Sequence, residues 1–141
     1  MLSIIIPCYN EYKTIKQIIN KILDLDFKIE IILVDDCSTD GTKEIIFEDI
    51  EHRVKKVIYH TKNMGKGRSI ISAKEFVSGK YVIIQDADLE YDPKDYKKML
   101  DFAEINDAKV VYGSRVLNKK NYEISIDFLN RLRIEGNRFL T

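Results

Sequence analysis

The amino-acid sequence predicts an α/β domain with a mostly parallel sheet and helices on both faces. Three observations carry that expectation. Five short apolar runs lack polar alternation, as strands covered on both faces do. Between them lie segments whose apolar residues recur at helical spacing. The polar segments after the first four runs are "PCYNE", "DDCSTDG", "TKNMGKG" and "DADLE", and they hold most of the chemistry-bearing residues. In a parallel sheet such segments gather at one edge, outside the carboxyl ends of the strands.

The elements follow in order. Residues 2–6 ("LSIII") read as a buried strand, β-branched and bounded by Pro7. Over 12–26, Ile15, Ile18, Ile19, Ile22 and Leu23 fall on one helical face. Residues 29–34 ("IEIILV") form a second strand and 35–42 a polar turn. Thr39 or Asp40 is placed to cap a helix through Lys43, Glu44, Ile45 and Ile46. A third strand over 56–60 leads into a glycine-bearing loop (61–67). A helix over 68–78 then offers Ile70, Ile71, Ala73 and Val77 to the core. The fourth strand is 81–85. Asp92 as cap and Pro93 at the first helical position open a helix over 92–106, with Tyr96, Met99, Leu100 and Ala103 on one face. A fifth strand over 108–114 and a helix over 125–139 complete the series.

The chain has 141 residues, the size of one domain, and 45% of them are hydrophobic, enough for a globular interior. Basic and acidic residues number 23 each. That balance argues against a dedicated nucleic-acid binder, so the acids act as a local cluster and not as bulk charge. Cys8 and Cys37 lack CxxC spacing, which favours reduced thiols in a cytosolic protein over a disulfide or zinc site. No apolar run is long enough to span a membrane, and no signal peptide is recognisable.

Three acids, Asp86, Asp88 and Glu90, alternate directly behind the fourth strand. Carboxylates so placed suit a hard divalent cation, Mg2+ or Mn2+, which accepts one or two of them and fills its other positions with water and phosphate oxygens. The competing reading is a solvated acidic turn, and Asp92 is read as no more than the next helix's cap. Asp35 and Asp36 end the second strand, where an acid meets a ribose hydroxyl or a base N–H. An Asx turn feeding a helix explains Ser38, Thr39 and Asp40 better than it explains Asp35 and Asp36. "NMGKG" has glycines for close backbone approach and a cation in Lys66, but it matches neither GxxxxGK[ST] nor GxGxxG; a glycine turn before a helix is the plainer reading. Arg115 follows the fifth strand, where a guanidinium can hold a diphosphate. His52 and His60 have no partner at ligand or triad spacing and receive no role. No GxSxG is present, and neither cysteine has a histidine within motif distance, so covalent catalysis has no support.

In order, "IIIPCYNE", "IILVDDCSTDGT", "NMGKG", "VIIQDADLEYDP" and "VVYGSR" resemble the family 2 glycosyltransferases, which have the GT-A (Rossmann-like) fold. The nearest likeness is to the branch of dolichyl-phosphate mannose synthases and related polyprenyl-phosphate sugar transferases, and "EGNRFLT" (135–141) extends it. The resemblance implies an inverting transfer from a UDP- or GDP-sugar, with Mg2+ or Mn2+ as cofactor. Carried over by position, Pro7, Tyr9 and Glu11 line the nucleotide, and Asp35 and Asp36 read its base or ribose side. Asp86 lies near the ribose and sugar, with Asp88 and Glu90 nearest the metal. Lys66, Arg115, and Arg131 or Arg138 meet phosphates. Asp86, Asp88 and Arg115 are the residues expected to carry catalysis. The implied acceptor is a polyprenyl phosphate, which would bring the protein to the cytoplasmic face of a membrane; a glycan hydroxyl is the alternative. The resemblance further implies a single nucleotide-sugar-binding domain over 1–141 that lacks the family's C-terminal acceptor portion, and it admits a homodimer. A non-catalytic nucleotide-sugar-binding module stands beside the enzyme reading. A receiver-type signalling domain fits less well, because the acid pairs here follow the second and fourth strands.

Overall fold

The computed structural model describes residues 1–111 and 138–140. The two longest β-branched runs form β1 (Leu2–Cys8) and β2 (Ile29–Asp35), paired in parallel from Leu2 opposite Ile29 to Cys8 opposite Asp35. β3 (Lys56–Tyr59) adds to β2, and β4 (Tyr81–Ile84) pairs with β1 on its other side. β6 (Arg138–Leu140) lies between β4 and β5 (Val110–Val111). The order is β3-β2-β1-β4-β6-β5, and every one of these pairings is parallel. Parallel neighbours require long crossovers. α1 (Ile15–Leu23), α2 (Thr42–Ile45) and α3 (Lys66–Ala73) lie in those of the first four strands, and α4 (Tyr96–Ile105) follows β4.

The pleat sends alternate side chains to opposite faces. Leu2, Ile4, Ile6 and Cys8 of β1 join Ile15, Ile18, Ile19 and Ile22 of α1, together with Tyr96 and Ala103 of α4. Ile5 points the other way, into a second core with Ile32, Val34, Val82 and α3's Ile70 and Ala73. Helices therefore cover both faces, as the unbroken apolar runs predict.

Four local expectations are refined or corrected. α2 is a single turn that starts after Gly41 and continues as a π turn (Ile46–Ile50) and a 3-10 turn (Glu51–Arg53). Asp40 does hold its start, accepting from the Thr42 N–H at 3.0 Å and the Thr42 hydroxyl at 2.5 Å. Thr39 does not; its N–H donates to Asn10 Oδ1. Ile71 is 50% exposed, because one helical step beyond buried Ile70 turns it to solvent. In the region read as a helix over 125–139, Arg138 and Phe139 belong instead to β6, where pairing with both β4 and β5 overrides the local helical pattern. Residues 125–137 of that helix, and 112–114 of the fifth strand, lie outside the described residues. Asp92 behaves as read, its Oδ1 accepting from the Lys94 N–H at 3.1 Å with Pro93 next to it.

Near the amino-terminal edge of the sheet, buried Glu30 gathers β1, β2 and the turn before β4. It accepts from the Ser3 hydroxyl, from Lys55 Nζ at 2.7 Å, and from the Ser78 N–H and hydroxyl at 2.7 and 2.6 Å. Gly79 closes the turn so tightly that a Cβ there would sit 2.8 Å from the Ser3 nitrogen. Burial opposes ionisation of Glu30, but the hydrogen bonds from Lys55, Ser3 and Ser78 outweigh it and pull its pKa from 4.5 to about 2. A depressed folded-state pKa contributes stability that is complete above the unfolded value and lost as pH falls toward the folded one. Glu30→Gln is expected to lower the unfolding free energy at pH 7 by on the order of 2 kcal/mol. Urea denaturation across pH should also show that the variant loses the wild type's decline between pH 4.5 and about 2.

Candidate functional site

β1 has β2 on one side and β4 on the other: the chain winds outward through β2 and β3 and then returns past β1 to β4, the reversal of strand order at which a doubly wound sheet has its crevice, at the carboxyl ends of the strands. The loops after β1 and β2 are joined across that crevice's rim. The Asn10 N–H donates to Ser38 Oγ at 2.9 Å, and the Thr39 N–H donates to Asn10 Oδ1 at 2.8 Å. The Glu11 N–H donates to Thr42 Oγ1 at 2.9 Å, and the Tyr12 N–H to Asp40 Oδ2 at 3.2 Å. Asn10 and Cys37 take left-handed backbone at φ 57° and 66°, conformations held by these cross-links. Ser38, Thr39, Asp40 and Thr42, read from sequence as turn formers, thus tie two loops together. Glu11 Oε2 accepts from the Thr14 hydroxyl at 2.7 Å, while Tyr9 stays 46% exposed at the mouth.

Asp35 and Asp36 lie side by side and differ in environment. Asp35 is fully buried; its Oδ2 accepts from the Ser38 N–H at 3.3 Å, and its Oδ1 has no hydrogen-bond partner among the described residues. An unpartnered buried carboxylate oxygen is costly unless a ligand supplies a donor. Asp36 is saturated. Its Oδ1 accepts from the Met64 N–H at 2.8 Å and from His60 Nδ1 at 2.7 Å, and its Oδ2 from the Gly65 N–H at 2.6 Å. Burial would push the Asp36 carboxyl up, but His60, Met64 and Gly65 outweigh it and hold it below the ordinary carboxylate range. Neighbouring Cys8 shows the sign of the local field. Burial first, then the charges of Asp35, Glu11 and Asp40, push its thiol well up, leaving it protonated and inert as a nucleophile.

The acid row follows the end of β4 as a turn and not as a continued strand. Ala87 is buried and Leu89 packs against the core, while Asp86 is partly exposed and Asp88 and Glu90 are exposed. Leu89 takes a positive φ of 67°, and Asp88 Oδ1 accepts from the Glu90 N–H at 3.1 Å, closing an Asx turn. Buried Gln85 anchors the segment, accepting from the Tyr96 hydroxyl and donating to the Asp86 carbonyl at 2.8 Å. Lys66 Nζ reaches Asp86 Oδ1 at 2.5 Å, so the chain itself brings a cation to the row. Lys66 is placed there by Gly65, whose φ of 84° opens α3.

Pro7, Tyr9, Glu11, Asp35, Asp36, Lys66, Asp86, Asp88 and Glu90 therefore all sit at this one edge. Arg115 and Arg131 lie outside the described residues, and Arg138 contributes the backbone of β6. His60, given no role from sequence, is the residue that spacing missed, since its partners Asp36 and Ser72 are 24 and 12 positions away.

The sequence model of glycosyl transferase family 2 matches residues 3–132. The chain belongs to glycosyl transferase family 2. It is 32% identical over 116 residues to a dolichol-phosphate mannosyltransferase of Pyrococcus furiosus, covering 81% of this chain and 33% of that protein. Among solved structures, S. aureus TarS 1–349 in complex with UDP-GlcNAc superposes with a TM-score of 0.69 at 26% identity, over 89% of this chain and 37% of that one. The mannosyltransferase PcManGT of Pyrobaculum calidifontis, in complex with GDP-Man and Mn2+, gives a TM-score of 0.71 at 24% identity, over 83% and 36% of the two chains. The fold is GT-A, and the chain spans about a fifth to a half of the length of the curated relatives it matches.

In this family 2 chain the row offers hard oxygen donors on exposed side chains, Asp88 and Glu90. Among the described residues, no three of His, Cys, Asp and Glu form a closed metal cage. The exposed carboxylates of Asp88 and Glu90 fit a divalent cation held by one or two carboxylates and completed by phosphate and water. The geometry of the row depends on the buried Gln85–Tyr96 bond. Tyr96→Phe should lower stability by about 1–2 kcal/mol by orphaning the Gln85 carbonyl. Hydrogen exchange should quicken across 86–91 in that variant while 29–35 keeps its protection.

Proposed function

We propose that this chain is the donor-binding part of an inverting glycosyltransferase, which takes a sugar from a UDP- or GDP-sugar and delivers it to a polyprenyl phosphate. One observation carries the reading: the outward row Asp86, Asp88 and Glu90, together with Lys66, at the β1–β4 switch point of a family 2 domain. Relatives support it, since TarS is solved with UDP-GlcNAc and PcManGT with GDP-Man and Mn2+.

In this reading the exposed Tyr9 ring and Pro7 flank the base, with Glu11 beside them. Asp35 Oδ1, which lacks a donor among the described residues, meets a base N–H or ribose hydroxyl. Asp36 acts on the same side, through the loop it holds. Asp86 faces the ribose and sugar, while Asp88 and Glu90 hold Mg2+ or Mn2+. The cation, when bound, supplies charge neutralisation for the diphosphate leaving group. Lys66 is 56% exposed, and an ion pair of that kind is worth only about 0–1 kcal/mol, so it exchanges readily from Asp86 to a phosphate oxygen. Arg115 would meet the same diphosphate. The acceptor oxygen attacks the anomeric carbon from the face opposite the diphosphate, through an oxocarbenium-like state. Fixed positive groups around the leaving group lower the barrier. A phosphate acceptor is already anionic and needs no strong general base; a glycan hydroxyl would need one. A lipid-phosphate acceptor places the reaction at the cytoplasmic face of a membrane. Among the described residues, no helix is long and apolar enough to cross one.

Calorimetry of UDP- and GDP-sugars with and without Mn2+ tests the reading. Binding of one donor should require the metal, and Asp88→Ala should weaken it by roughly tenfold or more, on the scale of a lost charge-assisted contact. Equal binding without metal, unchanged by Asp88→Ala, contradicts it. Following sugar transfer to polyprenyl phosphate then separates a transferase from a nucleotide-sugar-binding module.

A further inference from the structure

We propose that His60 is a positioning residue for the donor nucleotide, holding Asp36 and, through it, the Met64–Lys66 turn in the register that presents Lys66 to the diphosphate. The inference rests on the donor-site reading above and adds a residue that reading does not contain.

A continuous row of contacts leads to it. The Ser72 hydroxyl lies 3.0 Å from His60 Nε2, and His60 Nδ1 lies 2.7 Å from Asp36 Oδ1. Asp36 is ionised, so the ring's Nδ1 carries the proton toward it, and in the neutral imidazole Nε2 accepts from the Ser72 hydroxyl. Asp36 passes the hold onward to the Met64 and Gly65 N–H groups. Gly65 opens α3, Lys66 is the helix's first residue, and its ammonium ends on Asp86. The His60 and Asp36 side chains are only 7% and 4% exposed. The row thus links the end of β2, the segment after β3, α3 and the acid row.

Two features make this more than core packing. The backbone N–H groups at 64 and 65 form the kind of turn that receives a phosphate oxygen, and here an internal carboxylate occupies it. The loop therefore offers the donor its lysine and not its amides, and the lysine's position is only as fixed as Asp36. His60 is the one side chain seen to fix Asp36 among the described residues; its other contacts are main-chain. The Ser72–His60–Asp36 order also has the geometry of a hydrolase relay. Asp36, however, is shared with two backbone donors, and Ser72 sits within α3, which favours a strut over a nucleophile.

Three variants of the full chain separate the roles. His60→Ala removes both contacts, His60→Asn restores an N–H donor where Nδ1 stood, and Ser72→Ala removes only the far end. Calorimetry with UDP and GDP in Mn2+ should show roughly tenfold weaker nucleotide binding for His60→Ala, the scale of one charge-assisted hydrogen bond. Most of that should return in His60→Asn, even though both His60 variants lose the Ser72 contact. Hydrogen exchange without ligand should quicken at 64–66 in His60→Ala and recover in His60→Asn. Binding unchanged in His60→Ala overturns the proposal. So does a loss that follows the melting temperature through all three variants without recovery in His60→Asn, or labelling of Ser72 by a fluorophosphonate probe. If the wild type binds neither nucleotide, the donor reading fails and this role falls with it. The exchange data alone would then show whether His60 still fixes the turn.

Discussion

Two main-chain N–H groups and an imidazole converge on the Asp36 carboxylate, and the carboxyl edge of the sheet takes its shape from that convergence. A buried charge without partners would be destabilising by several kcal/mol. With all three in place, Asp36 stays ionised and locks the end of β2 to the turn that opens α3. The position of Lys66, and hence its meeting with Asp86, follows from that lock. The edge is thus a set of loops each held by a neighbour: the β1 loop by the β2 loop, the β2 end by the α3 turn, the acid row by Gln85 and Tyr96.

Both ends of the sheet carry buried carboxylates, and comparing them separates structure from function. Glu30, near the amino edge, accepts from Ser3, Lys55, Ser78 and Gly79, a closed polar hub beside a turn with no room for a side chain. At the carboxyl edge the accounts stay open. Among the described residues Asp35 keeps an oxygen without a donor, Tyr9 keeps an exposed ring, and Asp88 and Glu90 face solvent. Burial with full pairing marks support; burial with an unmet donor, next to exposed acids, marks a place for a ligand.

What the sequence revealed was whatever depends on near neighbours or on periodicity. Unbroken β-branched runs and the four-isoleucine stripe of α1 gave the layered fold, and Asp92–Pro93 gave the start of the next helical segment. The run of Asp86, Asp88 and Glu90 behind the fourth strand was legible for the same reason, but the inward packing of Ala87 and Leu89 was not. Long-range chemistry was hidden. The Asp36–His60 and Lys66–Asp86 pairs join residues 24 and 20 positions apart, which no spacing rule anticipates. Residues 138 and 139 were misread as helical because a three-residue strand has too little pattern of its own and exists through its two neighbours. The placement of Pro7, Asp35, Asp86 and the rest at one edge was legible only through the parallel-sheet argument, and the family motifs then gave each a chemical sense.

The central claim is that the carboxyl edge around the β1–β4 crevice receives a nucleotide diphosphate together with a divalent cation. Backbone amide NMR of the chain, titrated with UDP or GDP and then with Mn2+, tests it most directly. Nucleotide should shift resonances at 8–12, 35–42 and 63–66, and Mn2+ should then broaden those at 86–90 most strongly. Shifts or broadening centred instead on the amino edge, at 28–30 and 78–80, would contradict the account.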